Sequence, residues 1–378
     1  VADTVSKSAG GTFDADITLA DGADIITASA GTSNVRVGVN AGNSIASGGN
    51  YNTVIGDEAG TALTTGDGVV AIGFEALKTE DANGTTTAIG YQALKVQNAG
   101  AESNNTAVGY QAGLATNTGV YNTFIGSLAG TANTTGQNTF VGGQAGQANT
   151  DGTNNLGVGV NALQANTTGD FSVAIGHFAL QTQNLTDGSS GNNTAVGYNA
   201  GNDITTGTGN TILGAFAADA MTTGSNNTFL GLAAAGAGVV TGADNVGVGT
   251  NAGDVLTSGA NNTFIGSAAG SANTTASNNT AVGSVSLDAN TTGASNVAVG
   301  RASLTTNTTG SNNVGVGVSA LEAVLTGGSN TSMGNNSLVS ATGSSNTAFG
   351  FGAGSSITSG SKNTILGTFN GNADSLDI

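Results

Sequence analysis

The chain has 378 residues, 64 of them glycine, with no proline, cysteine or tryptophan, a single histidine and only 8% charged residues. Six Lys and Arg against 23 Asp and Glu give a net charge of -17, which argues against a phosphate-rich partner because nucleic-acid binding needs clustered cations. The absence of cysteine excludes a disulfide framework and thiolate metal sites, and so few ionisable groups leave little for acid, base or nucleophilic catalysis.

In chain order, residues 1–33 read as a cap leading into the repeat, residues 34–370 as a repeat solenoid, and residues 371–378 as an end segment. No apolar run approaches the roughly 18 residues of a membrane span, and the N-terminus lacks a basic region followed by an apolar stretch. The chain begins at Val1 rather than Met, which reads as upstream processing or as a shortened sequence, so an anchoring or secretion segment is expected outside it, upstream or downstream.

From Gly38 to Gly367 a glycine recurs in 20 copies, mostly 17 residues apart, in the pattern N-T-x-Z-G-x-x-A-(G/L)-x-x-x-T-T-G-x-x with Z a large apolar residue. Disordered chains do not hold an aliphatic residue at fixed phase over 20 copies. The N-T-x-Z-G segment predicts one strand per coil, and the Ala followed by Gly or Leu predicts a second short strand on the far wall. The T-T-G segments, such as Thr134-Thr135-Gly136, predict the turn between coils. The fold class expected is all-β, a parallel β-solenoid (β-roll) of about 20 coils of ~17 residues. At about 4.8 Å per stacked strand it forms a rod roughly 95 Å long.

Three columns sharpen that expectation. Z is apolar in every copy, from Val37 and Ile55 through Ile125 and Ile265 to Leu366, and is placed toward the coil interior. The residue before Z, for example Phe124, Phe140, Phe229 and Phe264, then points outward as an apolar stripe that reads as an oligomer interface. The alternative is a wider core that takes both columns. Asn stands four residues before the glycine in 17 of the 20 copies, the exceptions being Val69, Thr86 and Ser172. Stacked amides predict a hydrogen-bonded ladder along the axis, against a surface-turn Asn as the plainer reading.

Phe74, Tyr91 and Tyr110 fall on successive coils and form either an aromatic strip for sugar stacking or, more in keeping with the repeat, packing at an oligomer seam. His177 occupies the same position and has a structural reading. The repeat is broken at Thr79 to Thr86 and at Gln183 to Gly191; loops of that composition are expected to protrude, either as tolerated insertions or as carriers of recognition. Asp residues lack the spacing of a calcium roll, Asn-x-Thr triplets read as turns rather than glycosylation sites, and the Thr pairs at expected corners do not form an ice-binding array.

The units N-T-A-V-G-Y-Q-A-G (Asn105 to Gly113) and N-T-F-I-G-S-L-A-G (Asn122 to Gly130) resemble the repeats of marine bacteriophage tail-fibre proteins. They are more distantly similar to the N-S-x-A-I-G repeats in the heads of trimeric autotransporter adhesins. The segment Ala20 to Gly31 also looks like the phage group. The resemblance implies a parallel β-roll assembled as a homotrimer. It also implies a structural and adhesive function as the shaft or receptor-contacting part of a tail fibre on a virion, and not an enzyme. The alternative is a bacterial trimeric surface adhesin or extracellular filament subunit at the cell surface. The chain lacks the chaperone-protease domain often found after such phage repeats, and the stalk and barrel of the adhesins. The expected partners are further copies of the chain and a host receptor or glycan, with no nucleic acid and no membrane insertion by this segment. Val108 to Gly113 also fits one hexapeptide of the acyltransferase signature, but six-residue steps from Val158 land on Gln164 and Asp170, which breaks that helix. The sequence assigns no catalytic, cofactor-binding or metal-binding residue, and no cofactor.

Overall fold

The computed structural model describes residues 30–82, 84–100, 102–185 and 188–371. Most of the expected N-terminal cap and of the end segment, with the Ala20 to Gly31 resemblance as far as residue 29, lie outside the described residues. Twenty three-residue strands run from β1 (Val35–Val37) to β20 (Thr364–Leu366), and each falls on the predicted T-x-Z positions. Each pairs in parallel and in register with the next in sequence, so one 20-stranded sheet runs the length of the solenoid. Among the described residues there is no helix.

The far wall is not the second strand that the sequence suggested. Residues two and four after each repeat glycine from Gly38 to Gly350 are left-handed, as at Gln111 (φ 51) and Gly113 (φ 61), or Glu75 (φ 53) and Leu77 (φ 50). Left-handed residues without a glycine cost free energy and persist only where the surroundings over-determine them. Here coil-to-coil hydrogen bonds do so: Gln111 N–H donates back to Tyr91 C=O at 2.8 Å and Gly113 N–H donates forward to Ala129 C=O at 2.9 Å. The repeat glycine itself is fixed twice over. Gly109 has φ 146, and a Cβ there would run into the carbonyl of Gly126 on the next coil.

The inward and outward columns are the reverse of the first expectation. In β14 (Thr263–Ile265) Phe264 is fully buried while Ile265 is 39% exposed, and the same alternation holds in the other strands from Thr53–Ile55 onward. Phe124, Phe140 and Phe229 are core, with Phe124 and Phe140 stacked at 6.0 Å in adjacent strands β6 (Thr123–Ile125) and β7 (Thr139–Val141). The residue before Z must point in because the coil interior is narrow and its far wall is cut to match it. Opposite Val54, Phe124, Phe140, Ile212, Phe229 and Phe264 stand Gly60, Gly130, Gly146, Ala218, Ala235 and Gly270. Opposite Ala71, Ala88, Ala174, Ala281 and Ala298 stand Leu77, Leu94, Leu180, Leu287 and Leu304. A Cβ on Gly270 would sit 2.5 Å from Phe264. Where both partners are small, as at Ala107 with Gly113 or Gly247 with Gly253, the large residue of the next coil, Phe124 or Phe264, leans into the space. The cross-section is therefore filled at constant volume, coil by coil.

The Asn column forms the ladder. Asn262 is fully buried; its Oδ1 accepts the backbone N–H of Asn279 on the next coil at 2.9 Å, and its Nδ2 donates to Ala276 C=O at 2.9 Å and to Asn245 Oδ1 at 3.0 Å. The acceptor side is mainly backbone, so the amide serves as a spacer that recurs once per coil. At Thr86 and Ser172, where Asn is missing, a glutamine from the opposite corner substitutes. Gln97 Nε2 reaches Thr86 Oγ1 at 3.2 Å, Gln183 Nε2 reaches Ser172 Oγ at 2.9 Å, and each glutamine accepts from the next ladder residue, Asn105 or Asn193. The Thr-Thr-Gly corners add a third set of coil-to-coil bonds, as in Thr274 Oγ1 to Thr291 C=O at 3.2 Å and Thr291 Oγ1 to Thr308 C=O at 3.1 Å.

Two consequences can be measured by thermal unfolding. Phe264→Ala should cost about 3 to 5 kcal/mol through loss of burial and the cavity left facing Gly270, and adding Gly270→Leu should recover most of it by recreating the Ala281 and Leu287 arrangement. Asn262→Leu should cost about 1 to 3 kcal/mol, because the Asn279 N–H and Ala276 C=O are left buried without their partner. An unchanged melting temperature in either single variant would contradict the packing described.

Candidate functional site

With the inward column settled, the outer face of the sheet carries two columns. The first strand residue is Thr in 13 of 20 strands and Val or Leu in the rest; the third is the large apolar Z. Along this face Val37, Ile125, Ile175, Leu213, Ile265, Met333, Phe349 and Leu366 are exposed, and the Z residues between them are half-buried. A β-strand sends alternate residues to opposite faces, so a repeat that keeps the inner column apolar for packing need not keep the outer one apolar. That it does so for 20 coils makes this face the candidate for a binding surface.

One edge of the face is aromatic. The position after the repeat glycine holds Phe74, Tyr91 and Tyr110 on successive coils, with ring centroids 5.3 and 5.4 Å apart and planes inclined by 20° and 12°. Farther along, His177 stacks on Phe178 at 3.8 Å and meets the edge of Tyr198 at 5.7 Å, and Tyr198 meets Phe216 at 5.3 Å. His177 is thus one member of an aromatic cluster rather than an isolated imidazole.

Next to the first aromatic stack lies the main charge cluster. Lys78 bridges Glu58 at 2.5 Å and Glu75 at 2.7 Å, and Lys95 reaches Glu75 at 2.7 Å. Gln92 Nε2 also donates to Glu75 at 2.8 Å, and Gln111 Nε2 donates to Gln92 Oε1 at 2.8 Å. The Lys78 ammonium, then Lys95 and Gln92, hold the Glu75 carboxyl down at about 2 against an ordinary 4.5. Opposite behaviour occurs at Asp219, where burial first and then the charge of Asp203 raise the carboxyl.

The two breaks in the repeat do not simply protrude. Glu80 and Thr86 are buried, with Gln97 Nε2 donating to Glu80 at 2.9 Å, while Asp81, Ala82 and Thr85 are exposed. In the second break Gln183 and Leu185 are buried, the Leu185 carbonyl accepts from Thr168 Oγ1, and Gly191 N–H returns to Asp170 C=O at 2.9 Å. The described residues of both segments thus contribute to the core and its polar spine, and Gly188 is exposed. A shallow groove of about 330 Å³ lies between corners at Thr118, Gly119, Thr134, Thr135 and Thr153, lined by turn residues.

Among the described residues no three His, Cys, Asp or Glu side chains gather as a metal site, and no helix is long and apolar enough to cross a membrane. No protein-family model matches the chain, and no curated protein matches it.

Glu75 gives a pH test. Its folded-state carboxyl lies below the unfolded value, so its ion pairs stabilise the fold above about pH 4.5, and that contribution is lost as pH falls toward 2. The difference in melting temperature between the native protein and Glu75→Gln should be greatest above about pH 5 and close toward pH 2. A difference independent of pH would contradict the ion-pair assignment.

Proposed function

We propose that this chain is the shaft of an adhesive fibre, assembled as a homotrimer through the outer face of its sheet and carried on a phage tail. The observation that supports it is the unbroken apolar Z column from Val37 to Leu366, exposed or half-buried in every coil. A face roughly 95 Å long and about 10 Å wide approaches 1,000 Å², more than the few hundred Å² that monomeric proteins ordinarily leave to water and close to the ~800 Å² that each partner buries in a standard interface. A second copy is the natural occupant, because its own rows repeat at the same coil spacing and can mesh along the whole length.

The trimeric number and the virion setting rest on the resemblance of Asn105 to Gly113 and Asn122 to Gly130 to tail-fibre repeats. A rod suits that role: it projects a binding surface away from its base, resists bending through coil-to-coil bonds, and needs no chemistry of its own. The same resemblance, in its looser form, gives the cell-surface adhesin, whose shaft would obey the same physics.

Light scattering at micromolar concentration should give three times the 36.0 kDa chain mass. The triple variant Ile125→Asp, Leu213→Asp, Ile265→Asp should fall to single chains while retaining its β-sheet circular dichroism, since all three side chains are exposed. A native protein that runs as a stable monomer would contradict the assembly. Tail-assembly genes beside the full-length gene would support the phage setting, and an adjoining secretion signal and membrane barrel would replace it with the adhesin.

A further inference from the structure

We infer that the end of the Phe74, Tyr91 and Tyr110 stack is a binding site for a neutral glycan, one pyranose ring lying on the open face of Tyr110. The inference rests on the adhesive reading above and names what the fibre would adhere to.

The geometry begins with the stack. Three rings on three consecutive coils, nearly parallel and about one strand spacing apart, must turn their faces along the rod axis and their edges to solvent. Inner faces are covered by the neighbouring ring. The stack ends at Tyr110, because the next two coils place Ser127 and Gly143 at the same position. A Cβ on Gly143 would meet nothing within 4 Å, so the space above it is open. The column becomes bulky again only at Val160, followed by the His177 and Phe178 pair. Tyr110 and Val160 are three coils apart, roughly 14 Å at the spacing of stacked strands, so between them lies a notch with an aromatic ledge and a floor of small residues.

Its chemistry suits a sugar. A pyranose has an apolar face of C–H groups that packs on an aromatic ring and a rim of hydroxyls that need donors and acceptors, which is the usual mixture of a few polar groups in an apolar pocket. Tyr110 is 49% exposed. Around the ledge, Gln111 spends its Nε2 on Gln92, which leaves Oε1 as an acceptor; Gln144 Oε1 accepts from Gln164, which leaves Nε2 as a donor; and the Ser127 hydroxyl is exposed. No residue at the positions bounding the notch, from Tyr110 and Gln111 through Ser127, Leu128, Gly143 and Gln144 to Val160, is charged. The chain as a whole carries -17, so an anionic sugar would meet repulsion without a compensating cation, and the ligand is a neutral one. The cations nearest in sequence, Lys78 and Lys95, are held by Glu58 and Glu75.

The test uses the full chain, fluorescently labelled, on an array of neutral and acidic oligosaccharides, with tyrosine fluorescence as a second readout in a protein that has no tryptophan. The native chain should bind one or more neutral glycans. Tyr110→Ala should weaken that binding by at least roughly tenfold. Ser127→Leu, which covers the ledge with an aliphatic side chain of the kind this column carries at Leu232, should do the same, with melting temperature and oligomeric state unchanged. Tyr51→Ala, at an exposed position outside this column, should bind as the native chain does. Binding to no neutral glycan, binding only to acidic ones, or undiminished binding in both Tyr110→Ala and Ser127→Leu would overturn the inference. Glycan binding by a chain that scatters as a monomer would instead leave this site standing and remove the trimeric assembly.

Discussion

The molecule depends on hydrogen bonds that pass from each coil to the next. A single coil of about 17 residues holds one large side chain and one or two small ones, too little apolar burial to offset an ordering cost of about 1 to 2 kcal/mol per residue. Stacking supplies the rest. The strand ladder, the left-handed far wall, the threonine corners and the buried asparagines all direct their donors and acceptors along the axis. Because every coil has the same register, each of these interactions is repeated from end to end. The glycine column follows from the same requirement, since only a residue without Cβ lets neighbouring coils approach so closely at that corner.

A uniform stack demands a uniform cross-section, and the core meets this with exchangeable pairs: Phe with Gly, Ala with Leu. One kind of unit can follow the other because total volume is conserved, and where both partners are small the adjacent coil fills the space. Polar compensation works in the same way. Gln97 and Gln183 supply at the opposite corner the amide that Thr86 and Ser172 lack. These glutamines lie in the two longest steps of the repeat, Gly90 to Gly109 and Gly176 to Gly197, so residues in those steps support the interior.

The period, the strand positions and the asparagine ladder were legible because each leaves a mark once per copy. The direction of the strand was not. Both the Z column and the column before it are apolar, and in a three-residue strand a shift of one residue exchanges inside for outside without changing composition. Burial of Phe264 and exposure of Ile265 could have been recognised from the far wall: Phe264 is matched by Gly270 and Ala281 by Leu287, a correlation of volumes that only facing residues need. The second strand was misplaced for a different reason, since alternate left-handed residues such as Gln111 and Leu77 are disfavoured locally and are stabilised only by neighbouring coils. The aromatic stack was visible as spacing, whereas its open end at Tyr110 required knowing that the rings lie across the axis.

With its polar groups directed inward and along the axis, the solenoid presents two surfaces: an apolar sheet face, the proposed seat of its own copies, and an aromatic edge, the proposed ledge for a neutral sugar. Both depend on the axial bonds being intact over the whole length. Residue-resolved hydrogen exchange tests that directly. The backbone N–H groups that donate to the preceding Asn Oδ1, such as those of Asn122, Asn262, Asn279 and Asn330, should be among the slowest in the molecule and similarly protected along the chain. Rapid exchange at these amides, with protection confined to scattered segments, would contradict a continuous buried spine.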